Sequence, residues 1–299
     1  MASLKEVKDK IASVRKTKQI TRAMNMVASA KLRKAQGRIE QFRPYAEKFY
    51  EILRDLSQGV DSSAHPLLEQ REEINNVAVV LITSERGLCG AFNSNLVHTA
   101  TNFAQSRSNS GQGVKFYCVG KKGSKDIGKT SFERVSDHSD IMDNFDFSLA
   151  SQLGSEIIHA YNQHEVDEVH LVYGRFVNVI KQLPTRLQIL PMSQESGEEE
   201  QEEQGEKEGG GSQAEYSYEP SVEGLLAELL PRYIKVQLYR GLLETSASEH
   251  AARMTAMDNA TRNCDDMISN LTLSYNKARQ AAITSELLDI VGGAEALKG

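Results

Sequence analysis

The chain has 299 residues, a formal net charge of −6, 39% hydrophobic residues, three cysteines and no tryptophan. No stretch of 18 apolar residues occurs, which excludes a membrane-spanning helix. Cys89, Cys118 and Cys264 are too few and too scattered for a disulfide scaffold or a zinc site, and the charged opening, Met1 to Glu6, has no apolar signal core, so a reducing cytosol is expected.

The charge is unevenly distributed. Residues 1–54 carry 14 Lys/Arg against 5 Asp/Glu, whereas residues 195–208 carry 8 Glu and a single Lys207. The chain therefore reads as a basic arm, a mixed middle and an acidic loop.

The N-terminal segment reads as one long amphipathic helix. Alternating steps of three and four from Leu4 to Leu56 meet an apolar residue at 13 of 16 positions, where a random phase would give about six. The exceptions are Lys18, Thr21 and Asn25. There the stripe is expected to slip to Ile20, Met24 and Val27, as in a stutter. Ser3 with Glu6 resembles a capping box, and Pro44 is expected to kink or restart the helix near Arg43.

Residues 76–190 alternate strand-like and helix-like runs. Strands are expected at 76–83, 114–119, 169–173 and 183–190, and helices at 95–107 and 148–162. This pattern predicts a small α/β domain with a mainly parallel sheet. The Glu/Gln/Gly-rich stretch 194–213 cannot supply a core. From Leu229 the same stepping again finds 13 apolar or aromatic residues in 16 positions. A second long helix is expected from Ser221 to just before Gly292-Gly293, with Pro231 in its first turns. Nothing else in the chain is long enough to cover either stripe. The two ends are therefore expected to pair as an antiparallel two-stranded coiled coil, with a Rossmann-like α/β domain inserted between them. The predicted division is 1–58, 74–192, 193–219 and 220–299. The exposed tip, 276–296, is low in charge and calls for a sleeve of partner protein.

Several motifs compete for a chemical role. Gly123-Ser124-Lys125-Asp126-Ile127-Gly128-Lys129-Thr130 fits GxxxxGK[ST]. A phosphate loop must open into a helix, but Thr130 leads into Ser131–Val135, which alternates like a strand, so a basic surface turn is the better reading. Gly87-Leu88-Cys89-Gly90 reads as a tightly packed turn, with Cys89 a small buried hydrophobe. His159 and His164 are five apart and do not share a helix face, so no metal site is expected. The basic N-terminal helix lacks any base-reading motif, so nucleic acid is not the expected partner.

Other residues carry a family resemblance. Ile11-Ala12-Ser13-Val14 with Ile20 to Ala28, Glu85-Arg86-Gly87-Leu88-Cys89-Gly90, Glu249 to Met254, Met257 to Thr261, and Tyr275 to Gln280 with Ile283 to Ala294 resemble, in this order, the γ subunit of bacterial F-type ATP synthases. The resemblance covers essentially the whole chain. It implies a non-catalytic central rotor shaft, without cofactor or metal. It also implies single-copy assembly with an αβ hexamer, the ε subunit and a c-ring, at the cytoplasmic face of the inner membrane and attached through the ring. By matching motif, Met24, Lys31, Arg33, Lys34, Arg253, Gln280, Thr284 and Glu286 would meet the hexamer, and Tyr216, Tyr218 and Glu219 the c-ring. The acidic run 195–208 is longer than the family leads one to expect, and the Gly123–Thr130 run is not a family feature. Two rival readings are a P-loop NTPase with coiled-coil arms and a nucleic-acid-binding scaffold.

Overall fold

The computed structural model describes residues 4–57, 65–69, 71, 73–192 and 222–296. In chain order they form α1 (Leu4–Ser57), β1 (Asn76–Ile82), α2 (Phe92–Asn109), β2 (Gly113–Val119), α3 (Lys121–Ile127), β3 (Glu133–His138), α4 (Phe147–Asn162), β4 (Glu168–Phe176), β5 (Gln182–Leu190) and α5 (Val222–Ala296). The acidic run and the expected c-ring residues Tyr216, Tyr218 and Glu219 lie outside the described residues. The fold is the mixed α/β class expected, with a central sheet and long N- and C-terminal helices.

The chain divides into two compact units. One comprises residues 1–29 with 253–299, and the other residues 30–252. The larger unit holds a five-stranded sheet of order β3-β2-β1-β4-β5. β1 to β4 run parallel, and β5 returns antiparallel to β4. β1, Asn-Val-Ala-Val-Val-Leu-Ile, is buried from Val77 to Ile82. That explains why its sequence is continuously apolar rather than alternating: both faces of a central parallel strand are covered. One face packs Ala78, Val80 and Ile82 with Phe49 and Leu53 of α1, Leu153 and Ile157 of α4, and Ile234 and Leu238 of α5. The other packs Val79 and Leu81 with Leu96 and Ala100 of α2 and with Ile127 of α3. Helix α5 comes so close to the sheet at Gly241 that a Cβ there would lie 2.9 Å from Leu171 Cδ2.

In the smaller unit α1 and α5 pair antiparallel: Lys18 meets Asp265, Thr21 meets Thr261 and Asn25 meets Met254. Four expectations are corrected. First, the stripe does not slip. Thr21 and Ala28 are buried, whereas Ile20 and Val27 are 60% and 59% exposed. Cross-helix hydrogen bonds let polar residues stay in the seam. Second, α1 continues without a break through Pro44. Burial of Ala46, Phe49 and Leu53 on the following turns offsets the hydrogen bond that proline removes. Third, α5 runs past Gly292-Gly293 to Ala296. Glycine lowers helix propensity by about 1 kcal/mol but does not forbid the conformation. Fourth, α2 starts at Phe92, not near Asn95, because its N-cap is Ala91, which has no capping side chain to announce the start.

Candidate functional site

The turn after β1 is built by side chains of its own segment. Asn93 Oδ1 accepts from the Ser84 backbone N–H at 3.0 Å, and its Nδ2 donates to Ser84 Oγ and toward Cys89 Sγ. Cys89 is buried, as a small hydrophobe would be. Leu88 and Gly90 take positive φ values of 64° and 60°, and Leu88 projects with 63% of its surface exposed.

Glu85 then closes the crest of the sheet. Its Oε1 accepts from the N–H groups of Ile141 and Met142, each at 3.1 Å, and its Oε2 accepts from the N–H of Lys121 at 3.0 Å. The loops after β1, β2 and β3 are thereby joined by one carboxylate. In open α/β sheets this carboxyl edge is where ligands bind. Here three backbone donors of that edge, at Lys121, Ile141 and Met142, are occupied by Glu85.

The loop between β3 and α4 reaches the N-terminal helix. Asp143 accepts from Lys31 Nζ at 2.7 Å and lies 3.6 Å from Arg86 Nη2. The hydrogen bond from Lys31, aided by the Lys31 and Arg86 charges against some loss of solvent, holds the Asp143 carboxyl below its usual value. Arg38 donates from Nη2 to the Phe145 carbonyl at 2.7 Å, and its guanidinium stacks 4.2 Å over the Phe145 ring. Lys31 and Arg38, two cations of the basic collar formed by residues 31–38, are thus engaged inside the larger unit. Arg33 and Lys34 are exposed and form no ion pair among the described residues.

The GxxxxGK[ST] run does not form a phosphate cradle. Gly123, Ser124, Lys125, Asp126 and Ile127 lie within α3, so the helix precedes Gly128-Lys129-Thr130 instead of following it. Lys129 Nζ bonds Asp126 Oδ1 at 2.5 Å, and the Thr130 hydroxyl donates to the Ile127 carbonyl. The residues that would serve Mg²⁺ and phosphate are spent on closing a turn. β3 follows from Glu133. A shallow cleft of about 550 Å³ is lined by Glu69, Arg71, Glu73, Asn75, Asn76, His164 and Asp167. It lacks the apolar lining of a small-molecule site. Arg71 and Asp167 are already paired there at 2.5 Å.

The remaining sequence-predicted residues belong to the smaller unit or lie outside the described residues. Met24 is half-buried and Arg253 intermediate, while Gln280, Thr284 and Glu286 are exposed on α5. The Thr284 hydroxyl donates to the Gln280 carbonyl at 2.9 Å. Sequence reasoning missed Asp143 and the clasp made by Glu85. Glu85 stood in the Glu85–Gly90 motif but its clasp did not show, and Asp143 has no periodic or motif signal, because the partners of each lie in distant segments.

Comparison with known proteins places these features in a family. A family model described as ATP synthase matches residues 3–297. The chain is 63% identical over 299 residues, with full coverage of both chains, to the ATP synthase gamma chains of Maridesulfovibrio salexigens and Nitratidesulfovibrio vulgaris. Among solved structures, a chain of the central stalk and c-ring of Tetrahymena thermophila mitochondrial ATP synthase aligns with a TM-score of 0.58 and 26% identity, covering 81% of this chain and 99% of that one. A chain of the Euglena gracilis mitochondrial enzyme, seen with OSCP, F1 and c-ring, shares the fold with a TM-score of 0.64 at 21% identity, over 98% of this chain and 94% of that one.

Proposed function

The chain belongs to the ATP synthase family as a gamma chain, a subunit of the central stalk, and on that premise we propose that it is the non-catalytic rotor shaft that couples turning of a c-ring to changes at catalytic sites borne by an αβ hexamer. The observation that carries this reading is the antiparallel pairing of two long helices from opposite ends of one chain, with an α/β domain inserted between them. A conformational driver must contact the states it favours differently. A bent or unsymmetrical shaft presents a different face to each of its neighbours and meets that requirement without any chemistry of its own.

In this reading the exposed part of the basic collar, Arg33 and Lys34, meets acidic groups of the hexamer. Lys31 does so only in competition with Asp143. Met24 faces the hexamer low on the shaft, and Arg253, Gln280, Thr284 and Glu286 act higher up as polar catches. Tyr216, Tyr218 and Glu219 meet the c-ring, and the α/β domain holds the ε subunit. One copy serves each complex, which sits at the cytoplasmic face of the bacterial inner membrane and attaches through the ring. Glu85 occupies three backbone donors of the sheet crest, which argues against a nucleotide site at that edge.

Pull-down of the tagged full-length chain from native membranes, followed by intact-complex mass spectrometry, tests the proposal. One copy with three α and three β subunits is expected. A lone chain, or one with unrelated partners, overturns it.

A further inference from the structure

Between residues 18 and 28, α1 carries two stripes that could face its partner helix. One is polar: Lys18, Thr21 and Asn25. The other is apolar at helical spacing: Ile20, Ala23, Met24 and Val27. Burial of apolar surface alone would favour the second. The structure shows the first in the seam. Thr21 is 8% exposed, while Ile20 and Val27 stand 60% and 59% exposed.

Each polar seam residue has a partner on α5. Lys18 Nζ pairs with Asp265. Thr21 Oγ1 and Thr261 Oγ1 are 2.8 Å apart, and either hydroxyl can donate. Asn25 Nδ2 donates to the Met254 carbonyl at 2.8 Å. The partners recede from residue 265 to 254 as the donors advance from 18 to 25, so the three contacts form a ladder in a single antiparallel register. Polar groups in an apolar seam cost stability relative to well-packed hydrocarbon, but they specify register and facing.

We infer that this ladder is a phase lock: it selects the polar stripe as the seam of the helix pair and thereby holds Ile20 and Val27 outward as an apolar ridge, with Met24 half-buried at its edge. Lys18, Thr21, Asn25, Thr261 and Asp265 are then positioning residues for the contact proposed for Met24, and the inference rests on that reading for its functional meaning. The facing itself does not depend on that reading. Removing the acceptors on α5 makes the polar seam unfavourable. Lys18 then loses its counter-ion and Thr21 keeps only the bond to the Lys18 carbonyl of its own helix, so the polar stripe loses two of its cross-helix partners and the helix gains by turning its apolar ridge inward.

The test is maleimide labelling of the full-length chain, with rates resolved by peptide mass spectrometry. Reporters are Ile20→Cys on the outward ridge and Ala28→Cys on the buried seam, where Ala28 is 2% exposed. The native Cys89 and Cys118 are buried in the larger unit and serve as slow internal references. With the ladder intact, Ile20→Cys labels fast and Ala28→Cys slowly. In the Thr261→Val/Asp265→Ala background the order reverses, each rate moving by about tenfold, which corresponds to a shift of roughly 1.4 kcal/mol in facing. Thr261→Ser with Asp265→Glu restores the original order.

Unchanged rates in the ladder variant overturn the inference. So does acceleration at both reporters, because that means the ladder only adds stability. The same double variant in the assembled complex separates the two readings. If labelling reverses but ATP-driven proton pumping stays in proportion to ATP hydrolysis, the phase lock stands and the contact proposed for Met24 falls.

Discussion

At the residue scale, two ionisable pairs are largely withdrawn from solvent in the larger unit, Arg71 with Asp167 and Glu168 with His170. Asp167 accepts from Arg71 Nη1 at 2.5 Å and from the N–H groups of Asn75 and Asn76 at 2.9 Å. Burial alone would raise its carboxyl pKa, but the backbone N–H of Asn76, the Arg71 hydrogen bond and the N–H of Asn75 together hold it below the usual value. Asp167→Ala leaves Arg71 buried without its counter-ion and should lower unfolding stability by about 3 kcal/mol, read as a fall in the urea midpoint. His170 behaves differently. It is 3% exposed, its ring packs 4.5 Å from Phe103, and Nε2 lies 3.0 Å from Glu168. Loss of solvent pushes its pKa below 6.5, against the pull of Glu168, and the Arg186 and Arg107 charges push the same way.

The sign of the His170 effect follows from proton counting. Below pH 6.5 the unfolded chain binds a proton that the folded imidazole resists, so stability falls as pH drops through the mid-6s. The Glu168 carboxyl is shifted downward as well. Burial raises it, but the His170 hydrogen bond and the Arg107, His170 and Arg186 charges bring it below 4.5, so its share is lost only at still lower pH. Denaturation midpoints measured between pH 7 and 5 should decline for the native chain. The decline should be shallower for His170→Gln. Equal slopes would show that burial of His170 does not control this window. The Arg71–Asp167 pair was not legible in the sequence, since its members are 96 residues apart and nothing local marks either.

At the scale of elements, the sequence reading succeeded where a pattern repeats and failed where a single residue decides. The 3.5-residue stripe gave both long helices, and the continuous apolar run of β1 gave a central parallel strand. The helix α3 was missed because its seven residues are too few to show a period. Proline and glycine were over-read as breakers, because their local cost was weighed without the burial on either side. The two glycines of the tip provide a test. Helix α5 includes Gly292 and Gly293, and a Cβ at either would meet nothing within 4 Å. Gly292→Ala with Gly293→Ala should therefore stabilise the last turns by about 1 kcal/mol per site. Amide exchange at Ile290–Ala294 should slow about fivefold or more. Unaltered exchange would mean that these turns are not held as helix in solution.

At the scale of the whole molecule, charge is arranged by segment, and the segments differ in what they touch. The basic character of residues 1–54 was plain in the sequence. Its division was not. Lys31 is taken by Asp143, 112 residues away, and Arg38 by the Phe145 carbonyl, 107 away, whereas Arg33 and Lys34 stay exposed. If the collar reads acidic groups on the hexamer, the two exposed cations carry that interaction. Arg33→Glu with Lys34→Glu should then lower ATP-driven proton pumping relative to ATP hydrolysis in membrane vesicles, and more so at low ionic strength, where exposed charges are screened less. The acidic run 195–208 predicts the contrary. It carries no apolar residue with which to build a contact. Removing it still leaves about fifteen residues between Met192 and Val222, enough to reach roughly 50 Å when extended, and linker length alters closure entropy only slowly. Its deletion should leave the pumping-to-hydrolysis ratio unchanged. If instead deletion uncouples while reversal of Arg33 and Lys34 does not, the electrostatics of coupling reside in the acidic run and the collar assignment fails.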